Sequence, residues 1–436
     1  MNDTAAANFV KAFEAAGREL PGAEGWLARR REQAIKAFAD SGLPHRRLED
    51  WKYTDLRQAL GRAAFAPAPR HQGAVVLPDS HAAVAFAPLD AHRIVFVNGR
   101  LHETLSQAAR LPKGVELHRL ADVAGEHWAK ALIDRRMDEA RQAENIVELN
   151  TALMADGMAL RIRKGVALDK PLHLVFVAAE AGASHTRNLV WLEEGAEATI
   201  LESHLGGKAA LADIVTDIEL GASAALRHVK LQDETADAVH LSTLRASLSA
   251  GSRFESFTLT IGCGLSRSQN FIRFAGEGAH ASVDGAYALR ARQHFDTFSV
   301  VDHAVPGCTS HTMFKGVLDG ESEGVFQGKV IVRPDAQKTD GRQMTQALLL
   351  SRDASMNAKP ELEIYADDVQ CAHGSTVGEL SKDAIFYLRS RGIPEAEARR
   401  LLVLAFLDEA IELAPNAAAR GIFRDLVSGW FEEAGE

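Results

Sequence analysis

Residues 162–168 read IRKGVAL, and related segments return as LEEGAEA at 192–198, IELGASA at 218–224, LSAGSRF at 248–254 and AGEGAHA at 275–281. The central glycines of these segments are separated by 30, 26, 30 and 27 residues. An apolar residue stands three positions before each glycine, and a small or β-branched residue follows it directly. An apolar strand, a tight turn and a second apolar strand that recur at a near-constant period are typical of a stacked array.

This period, together with the lack of helical spacing, favours a parallel β-helix over ankyrin or tetratricopeptide repeats. The leucine-rich pattern L-x-x-L-x-L is missing, and no WD-type words suggest a propeller. A long antiparallel sandwich remains open on the residues alone. We therefore expect a mainly β protein whose strands stack coil on coil and expose strand edges to a partner.

Changes in the residue pattern along the chain predict three segments. Residues 1–92 contain helical spacing followed by a connector rich in Ala, Pro and His, and residues 93–380 carry the strand-and-turn pattern. Residues 381–436 return to helical spacing, with Ser381 as a plausible N-cap and Gly392 as a plausible helix end.

The net charge and the residue composition of the chain restrict the class of protein to which it can belong. Net charge is −10, which argues against nucleic acid as the main partner. Three widely spaced cysteines indicate a reducing compartment without a disulfide framework. The first residues lack the pattern of a signal peptide, and no apolar run approaches the ~20 residues needed to cross a bilayer. We expect a cytoplasmic protein with no membrane span.

A possible reactive pair is Cys371 and His373, two residues apart after an extended-looking run. In a strand, side chains two apart leave on the same face. A sulfur beside an imidazole suits iron, zinc or copper, and it could also form a Cys–His nucleophile pair. A half-buried thiol beside a solvated histidine is the third reading.

A second group of possible metal ligands is His303, Cys308 and His311, which crowd together where the glycine period slips. Chance clustering among 17 histidines explains this group at least as well as metal binding does. With three cysteines in total, the chain cannot hold a four-cysteine cluster by itself. The sequence also lacks the Walker A motif, so no nucleotide site is expected on this chain.

Four words along the chain carry a family resemblance. They are RRLEDWKYTDL at 46–56, LEIYADD at 362–368, DDVQCAHGSTVGEL at 367–380 and FYLRSRGI at 386–393. In this order they closely resemble the SufB/SufD family, which assembles iron–sulfur clusters with the SufC ATPase, and in particular its SufD branch. The resemblance covers essentially the whole chain. It implies a right-handed parallel β-helix flanked by N-terminal and C-terminal helical regions.

The resemblance also implies partners and sites. It implies a non-catalytic scaffold that pairs with a SufB paralogue through the β-helix, with a transient iron–sulfur cluster formed only in the complex. His373 matches the histidine expected to bind iron or the nascent cluster, and Cys371 is the weaker candidate as a second ligand or sulfur relay. Near Ser355, where SufB would supply a cysteine, there is none, so the chain resembles SufD and not SufB.

The C-terminal helices are expected to bind the SufC ATPase. The segment 401–411 offers a wide apolar face that includes Leu401 and Leu404. Trp430 and Phe431 could pack on the body of the protein or form a docking surface, and the resemblance favours docking. Whether the isolated chain is a monomer or a homodimer, and whether a flavin reductant binds the complex, stays open.

Two enzymatic functions remain as alternatives to the scaffold. A polysaccharide-active β-helix enzyme would need clustered carboxylates, and Asp367 with Asp368 is thin support for them. A Cys–His hydrolase using Cys371 and His373 would need the pair to share a proton. Two side chains that stand parallel on one strand do that poorly, and catalytic dyads usually come from different elements.

Overall fold

A computed structural model describes residues 4–16, 19–22, 24–60, 66–71, 75, 85–107, 111–136, 144–207 and 209–432. The helices are α1 Thr4–Ala16, α2 Gly25–Ser41, α3 Leu56–Leu60, α4 Leu120–Val123, α5 His127–Ile133, α6 Glu144–Leu153, α7 Lys382–Ser390, α8 Glu395–Ile411 and α9 Ala417–Glu432. None of the helices in these ranges is long and apolar enough to cross a membrane.

The described strands are β1 His92–Val97, β2 Arg100–Leu101, β3 Val115–Arg119, β4 Met158–Ile162, β5 Leu172–Ala178, β6 Gly182–Leu192, β7 Glu197–Gly206, β8 Ala210–Leu220, β9 Ala225–Glu234, β10 Val239–Leu248, β11 Arg253–Thr260, β12 Leu265–Phe274, β13 His280–Leu289, β14 His294–His303, β15 Thr309–Leu318, β16 Glu323–Val332, β17 Asp340–Leu349, β18 Ser355–Ile364 and β19 Gln370–Gly378. Most of the predicted connector, which runs to residue 92, lies outside the described residues.

Successive strands alternate between two sheets. One sheet has the order β19-β17-β15-β13-β11-β9-β7-β5-β1-β2, and the other has the order β18-β16-β14-β12-β10-β8-β6-β4-β3. Ladders along the repeat are parallel, and among the strands of the described ranges only the pairs β1–β2 and β3–β4 are antiparallel. The predicted parallel β-helix is therefore confirmed, and the antiparallel sandwich is wrong.

The glycines that repeat along the sequence also stack from coil to coil in the structure, except at one coil. Gly165, Gly195, Gly251 and Gly278 all have φ between 64° and 69°, the left-handed conformation that glycine adopts without steric cost. Backbone hydrogen bonds link this column from coil to coil, but between Gly195 and Gly251 the member is Ser223, at φ 56°, and not Gly221. The predicted register was therefore shifted by two residues at that coil.

The strand pairing shows the same shift. Leu192 pairs with Leu220, which pairs with Leu248, although the glycine alignment had matched Leu192 to Ile218. Because side chains two apart share a face, Ile218 still points inward. Leu192 and Ile218 are both fully buried in the apolar core between the two sheets, as predicted.

Apolar contacts also cover the outer faces of both sheets. Helices α8 and α9 lie on the odd-numbered sheet, where Leu407 and Phe423 join a cluster with Val229 and Phe257. Helices α1, α2 and α6 cover the even-numbered sheet through a separate apolar cluster. Because both faces are covered, nearly every position along the central strands is buried, instead of every second one.

The segment before α3 fixes the N-terminal helices to coils far along the chain. Lys359 Nζ donates to Glu49 Oε1 at 2.6 Å, and Gln327 Nε2 donates to the Asp50 carbonyl at 3.0 Å. Thr54 donates to the Asp296 carboxylate, which is fully buried. These polar contacts orient the segment, while apolar burial supplies most of the stabilisation.

Candidate functional site

The solenoid ends in an uncovered coil made by β18 and β19. Each of these strands pairs on one side only, β18 with β16 and β19 with β17. Their other edges carry backbone N–H and C=O groups that no described strand meets. An edge of this kind is a template for a strand of another chain. Pro360, in the middle of β18, lacks an N–H donor and so interrupts that edge.

The inward side chains of this coil form a partly apolar surface, which we call the open end; it comprises the inner faces of β18 and β19. In earlier coils the corresponding positions are covered by the next coil. Here Met356 and Leu362 are half-buried against the core, whereas Ile364 is 40% and Val377 46% exposed. Exposed apolar side chains beside a free sheet edge are typical of an interaction surface.

His373 lies on β19 at the open end. It pairs with the buried inward residue Gln343 of the preceding coil, and its own side chain is exposed. Cys371 pairs with Gly341 and packs, half-buried, against the solenoid core. The two side chains therefore share the inner face, as the two-residue spacing predicted, but they differ in access to solvent.

Gly374, next to His373, allows β19 to pack closely against β17. It lies inside β19, which continues to Gly378, and its φ is not in the left-handed region. A Cβ at this position would come within 2.8 Å of Met344 Cε in the neighbouring strand. The glycine therefore allows close packing beside His373 and does not end the strand.

The electrostatics of Cys371 disfavour a nucleophilic role. Burial, with a smaller contribution from the Asp340 carboxylate, raises the pKa of the Cys371 thiol. Since the thiolate is the nucleophile, a raised pKa lowers its population at neutral pH. Among the described residues, no group of three metal-ligating side chains includes His373 or Cys371. Within the described part of the chain, His373 and Cys371 are therefore not joined at the open end by a third metal-ligating side chain.

The second group of possible metal ligands predicted from the sequence does not form a metal site within the described residues. His303 is buried and bonds Ser310 Oγ at 2.8 Å, while His311 bonds Asp284 Oδ1 at 2.9 Å on another strand. Cys308 lies in the apolar core, and burial raises the pKa of its thiol. The three side chains have separate structural partners, which leaves chance clustering as the better explanation.

The C-terminal helices present a smaller docking surface than expected. Leu401 is 38% exposed, and it lines with Leu404 a groove of ≈ 420 Å³ between α8 and α9. Trp430 is only 4% exposed and packs on the solenoid with Arg290 against its ring. Phe431 packs edge-on against Trp430. Trp430 therefore belongs to the intramolecular core, which corrects its assignment as docking surface, whereas Phe431 is half-buried at the margin of that core.

Sequence reasoning missed an exposed aromatic pair on α7. Phe386 is 74% and Tyr387 is 56% exposed, directly after the open end in the chain. Apolar residues at neighbouring helix positions face different directions, so a sequence pattern alone could have shown that one helix face cannot bury both. Arg391 lies over the Tyr387 ring at 4.9 Å.

Comparisons with known proteins agree over nearly the whole chain. The family model described as SUF system FeS cluster assembly, SufBD core domain, matches residues 175–406, and the SufBD protein N-terminal region matches residues 5–174. An iron–sulfur cluster assembly SufBD family protein of Synechocystis is 32% identical over 417 residues, 92% of this chain and 90% of that protein. The iron–sulfur cluster assembly protein SufD of Escherichia coli is 30% identical over 390 residues, 87% of this chain and 88% of that protein.

Proposed function

Since this chain belongs to the SufBD family of iron–sulfur cluster assembly proteins, we propose that it is the SufD-type subunit of an assembly scaffold. The observation that carries this proposal is the open end. It combines two free strand edges, exposed apolar side chains and an exposed imidazole on one surface. In this proposal the chain itself is not an enzyme and binds no nucleotide.

The partner at the open end is a SufB paralogue in this proposal. A related solenoid could add its own terminal strands to β18 and β19, because backbone pairing at a free edge does not depend on side-chain identity. Contacts with Ile364 and Val377 would then remove apolar surface from water. The isolated chain could use the same surface to form a homodimer.

His373 is the proposed ligand for iron or for the nascent cluster at this junction. A neutral imidazole binds iron, and thiolates suit the same metal. Among the described residues, Cys371 is the one further possible ligand beside His373. In this proposal the partner must therefore supply the remaining ligands of the iron or cluster. Cys371 would act as a weaker second ligand or sulfur relay, since its thiol is half-buried.

We also propose that the SufC ATPase binds the C-terminal segment, with Leu401 and Leu404 as its contact residues. The groove between α8 and α9 supports this, as does the exposed pair on α7. The segments 1–92, 93–380 and 381–436 would then serve as packing region, cluster-bearing solenoid and ATPase-binding region.

The test is cluster formation by the assembled complex. His373→Ala should leave folding and assembly near normal, because an exposed side chain contributes little to stability. Iron and acid-labile sulfide per complex should nevertheless fall sharply. Ser375→Ala is the matched control, since Ser375 is exposed two residues further along the same face of β19. Cys371→Ala should reduce the yield less. Wild-type iron and sulfide in the His373→Ala complex would contradict the assignment.

A further inference from the structure

A separate set of polar side chains is buried inside the solenoid. It lies away from the open end and from the groove between α8 and α9. His204 stands near the end of β7, Glu234 is the last residue of β9, and His240 is the second residue of β10. All three are buried, and one ligand atom from each lies within 4.8 Å of the others. Residues from both sheets therefore converge where β9 turns into β10.

Hydrogen bonds define the protonation state of the His240 ring. Its Nδ1 lies 2.6 Å from Glu234 Oε1, and its Nε2 lies 2.8 Å from Lys230 Nζ. A protonated amine can only donate, so Nε2 accepts from Lys230 and Nδ1–H donates to Glu234. Burial, and then the Lys230 charge, hold the pKa of His240 well below its ordinary value. The ring is therefore neutral.

His204 has one free lone pair. Its Nε2 lies 3.1 Å from Glu202 Oε2, and Glu202 is also 3.3 Å from His228 Nε2. Burial acts to raise the pKa of Glu202, but the two histidines outweigh it and the pKa lies well below its ordinary value. An ionised carboxylate only accepts, so His204 donates through Nε2–H and Nδ1 is the acceptor. Phe176, stacked on the ring at 4.6 Å, fixes its plane.

Of the side-chain atoms of His204, Glu234 and His240, two have no hydrogen-bond partner among the described residues. They are His204 Nδ1 and Glu234 Oε2, both buried. Both residues line a cavity of ≈ 20 Å³, which is about the space that one water molecule or one small ion needs. Buried polar atoms usually have partners. A lone pair and a carboxylate oxygen that share a cavity therefore indicate a missing cation or water molecule.

We propose that this cavity binds one divalent transition-metal ion, such as Zn²⁺ or Fe²⁺, through His204 Nδ1, Glu234 Oε2 and His240 Nδ1. Two imidazoles and one carboxylate form a donor set that both ions accept. Glu202 then orients His204 in the manner typical of outer carboxylates in metal sites. Cys263 is not a ligand, since its Sγ lies 2.9 Å from the Leu265 carbonyl and 3.1 Å from that of Ala238.

Binding releases one proton. When the metal takes His240 Nδ1, the ring proton moves to Nε2 and donates to Lys230, which gives up a proton to become a neutral amine. The other ionisable groups next to these three residues are Glu202, His228 and Cys263. Glu202 stays ionised, and burial followed by Glu234 raises the pKa of Cys263 well above its ordinary value, so it stays a thiol.

The test uses the full chain carrying His373→Ala, so that the exposed imidazole cannot contribute. After chelator treatment, calorimetric titration with Zn²⁺ should give one equivalent bound per chain. His204→Gln and Glu234→Gln should each weaken binding at least about tenfold. His303→Gln is the matched control, because His303 is also fully buried with an unpartnered Nδ1 but lies outside the cluster. It should bind Zn²⁺ like the parent.

Failure to bind Zn²⁺, or equal binding by Glu234→Gln, would overturn the metal site and leave a buried water molecule in its place. Should the cluster variants not fold, as judged by circular dichroism, X-ray absorption of the loaded His373→Ala protein decides. Two imidazoles without sulfur are expected, whereas sulfur or a single imidazole refutes the assignment. Because His373 is absent throughout, these outcomes are independent of the proposed cluster function.

Discussion

The guanidinium carbon of Arg267 lies 4.2 Å from the centre of the Trp51 ring, and both side chains are fully buried. Arg267 also pairs with the Asp296 carboxylate and donates to the Asp50 carbonyl at 2.6 Å. A cation over an indole face is attracted by the ring, and more strongly when both are removed from water. This contact joins the N-terminal segment to the even-numbered sheet.

Trp51→Ala should destabilise the protein by roughly 3–5 kcal/mol, because it removes a buried aromatic ring and leaves a cavity beside a buried charge. Chemical denaturation would measure the change, and limited proteolysis should show earlier cleavage within residues 1–60. Tyr53→Ala is the matched control, since Tyr53 is half-buried two residues away and should cost less than about 1 kcal/mol. Equal effects of the two variants would contradict an anchoring role for Trp51.

A charge at the open end should block assembly through this surface. Ile364→Asp and Val377→Asp place a carboxylate on exposed apolar positions, so folding should change little, whereas a partner would have to desolvate an unpaired charge. Size-exclusion chromatography with light scattering would measure loss of the SufB pair, and of any homodimer. Leu105→Asp, at a position 36% exposed elsewhere on the chain, should not interfere. Undiminished pairing by both open-end variants would place the interface elsewhere.

ATPase binding should depend on the groove between α8 and α9. Leu401→Asp should weaken SufC binding at least tenfold in a titration, because a charge replaces an exposed apolar contact. Leu413→Asp, 36% exposed beyond the end of α8, is the control and should bind normally. Deleting the helices is a poorer test, since Val229 and Phe257 would lose their cover. Unchanged affinity of Leu401→Asp would remove the groove from the proposed interface.

Buried histidines should make stability fall with acid. Burial lowers the pKa of His303 from 6.5 to about 4, so the unfolded chain binds the additional proton between these values. The free energy of unfolding should therefore be unaffected above pH ~7 and decrease as the pH falls toward ~4, with up to about 3 kcal/mol due to this group. His303→Gln should flatten the dependence of melting temperature on pH, while the exposed His373→Ala should not. A slope unchanged by His303→Gln would contradict this account.

The fold could be predicted because each turn needs one residue in the left-handed conformation, and glycine usually supplies it. The prediction slipped at Gly221 since that glycine meets a different requirement. A Cβ there would lie 2.7 Å from the Glu194 nitrogen, so close backbone packing and not φ selects it. Ser223 takes the turn position, and a serine at positive φ leaves no pattern in the sequence.

The candidate site was predictable to the same degree. Alternation along a strand placed Cys371 and His373 on one face, but their different exposure depends on where the last coil ends. The interior cluster was not predicted, because His204 and Glu234 lie thirty residues apart on strands whose register only the structure supplies. Burial of Trp430 was missed because helical spacing identifies an apolar face without identifying what covers it.

The contact between Glu49 and Lys359 has a consequence for synthesis of the chain. The two residues are 310 positions apart, so at roughly 5–20 residues per second the ribosome needs on the order of 15–60 seconds to produce Lys359 after Glu49. Trp51 must likewise wait for Arg267 before it can be buried. During that interval the Trp51 side chain has no native docking surface, so the N-terminal segment completes its packing only after coils as far as β18 have been synthesised.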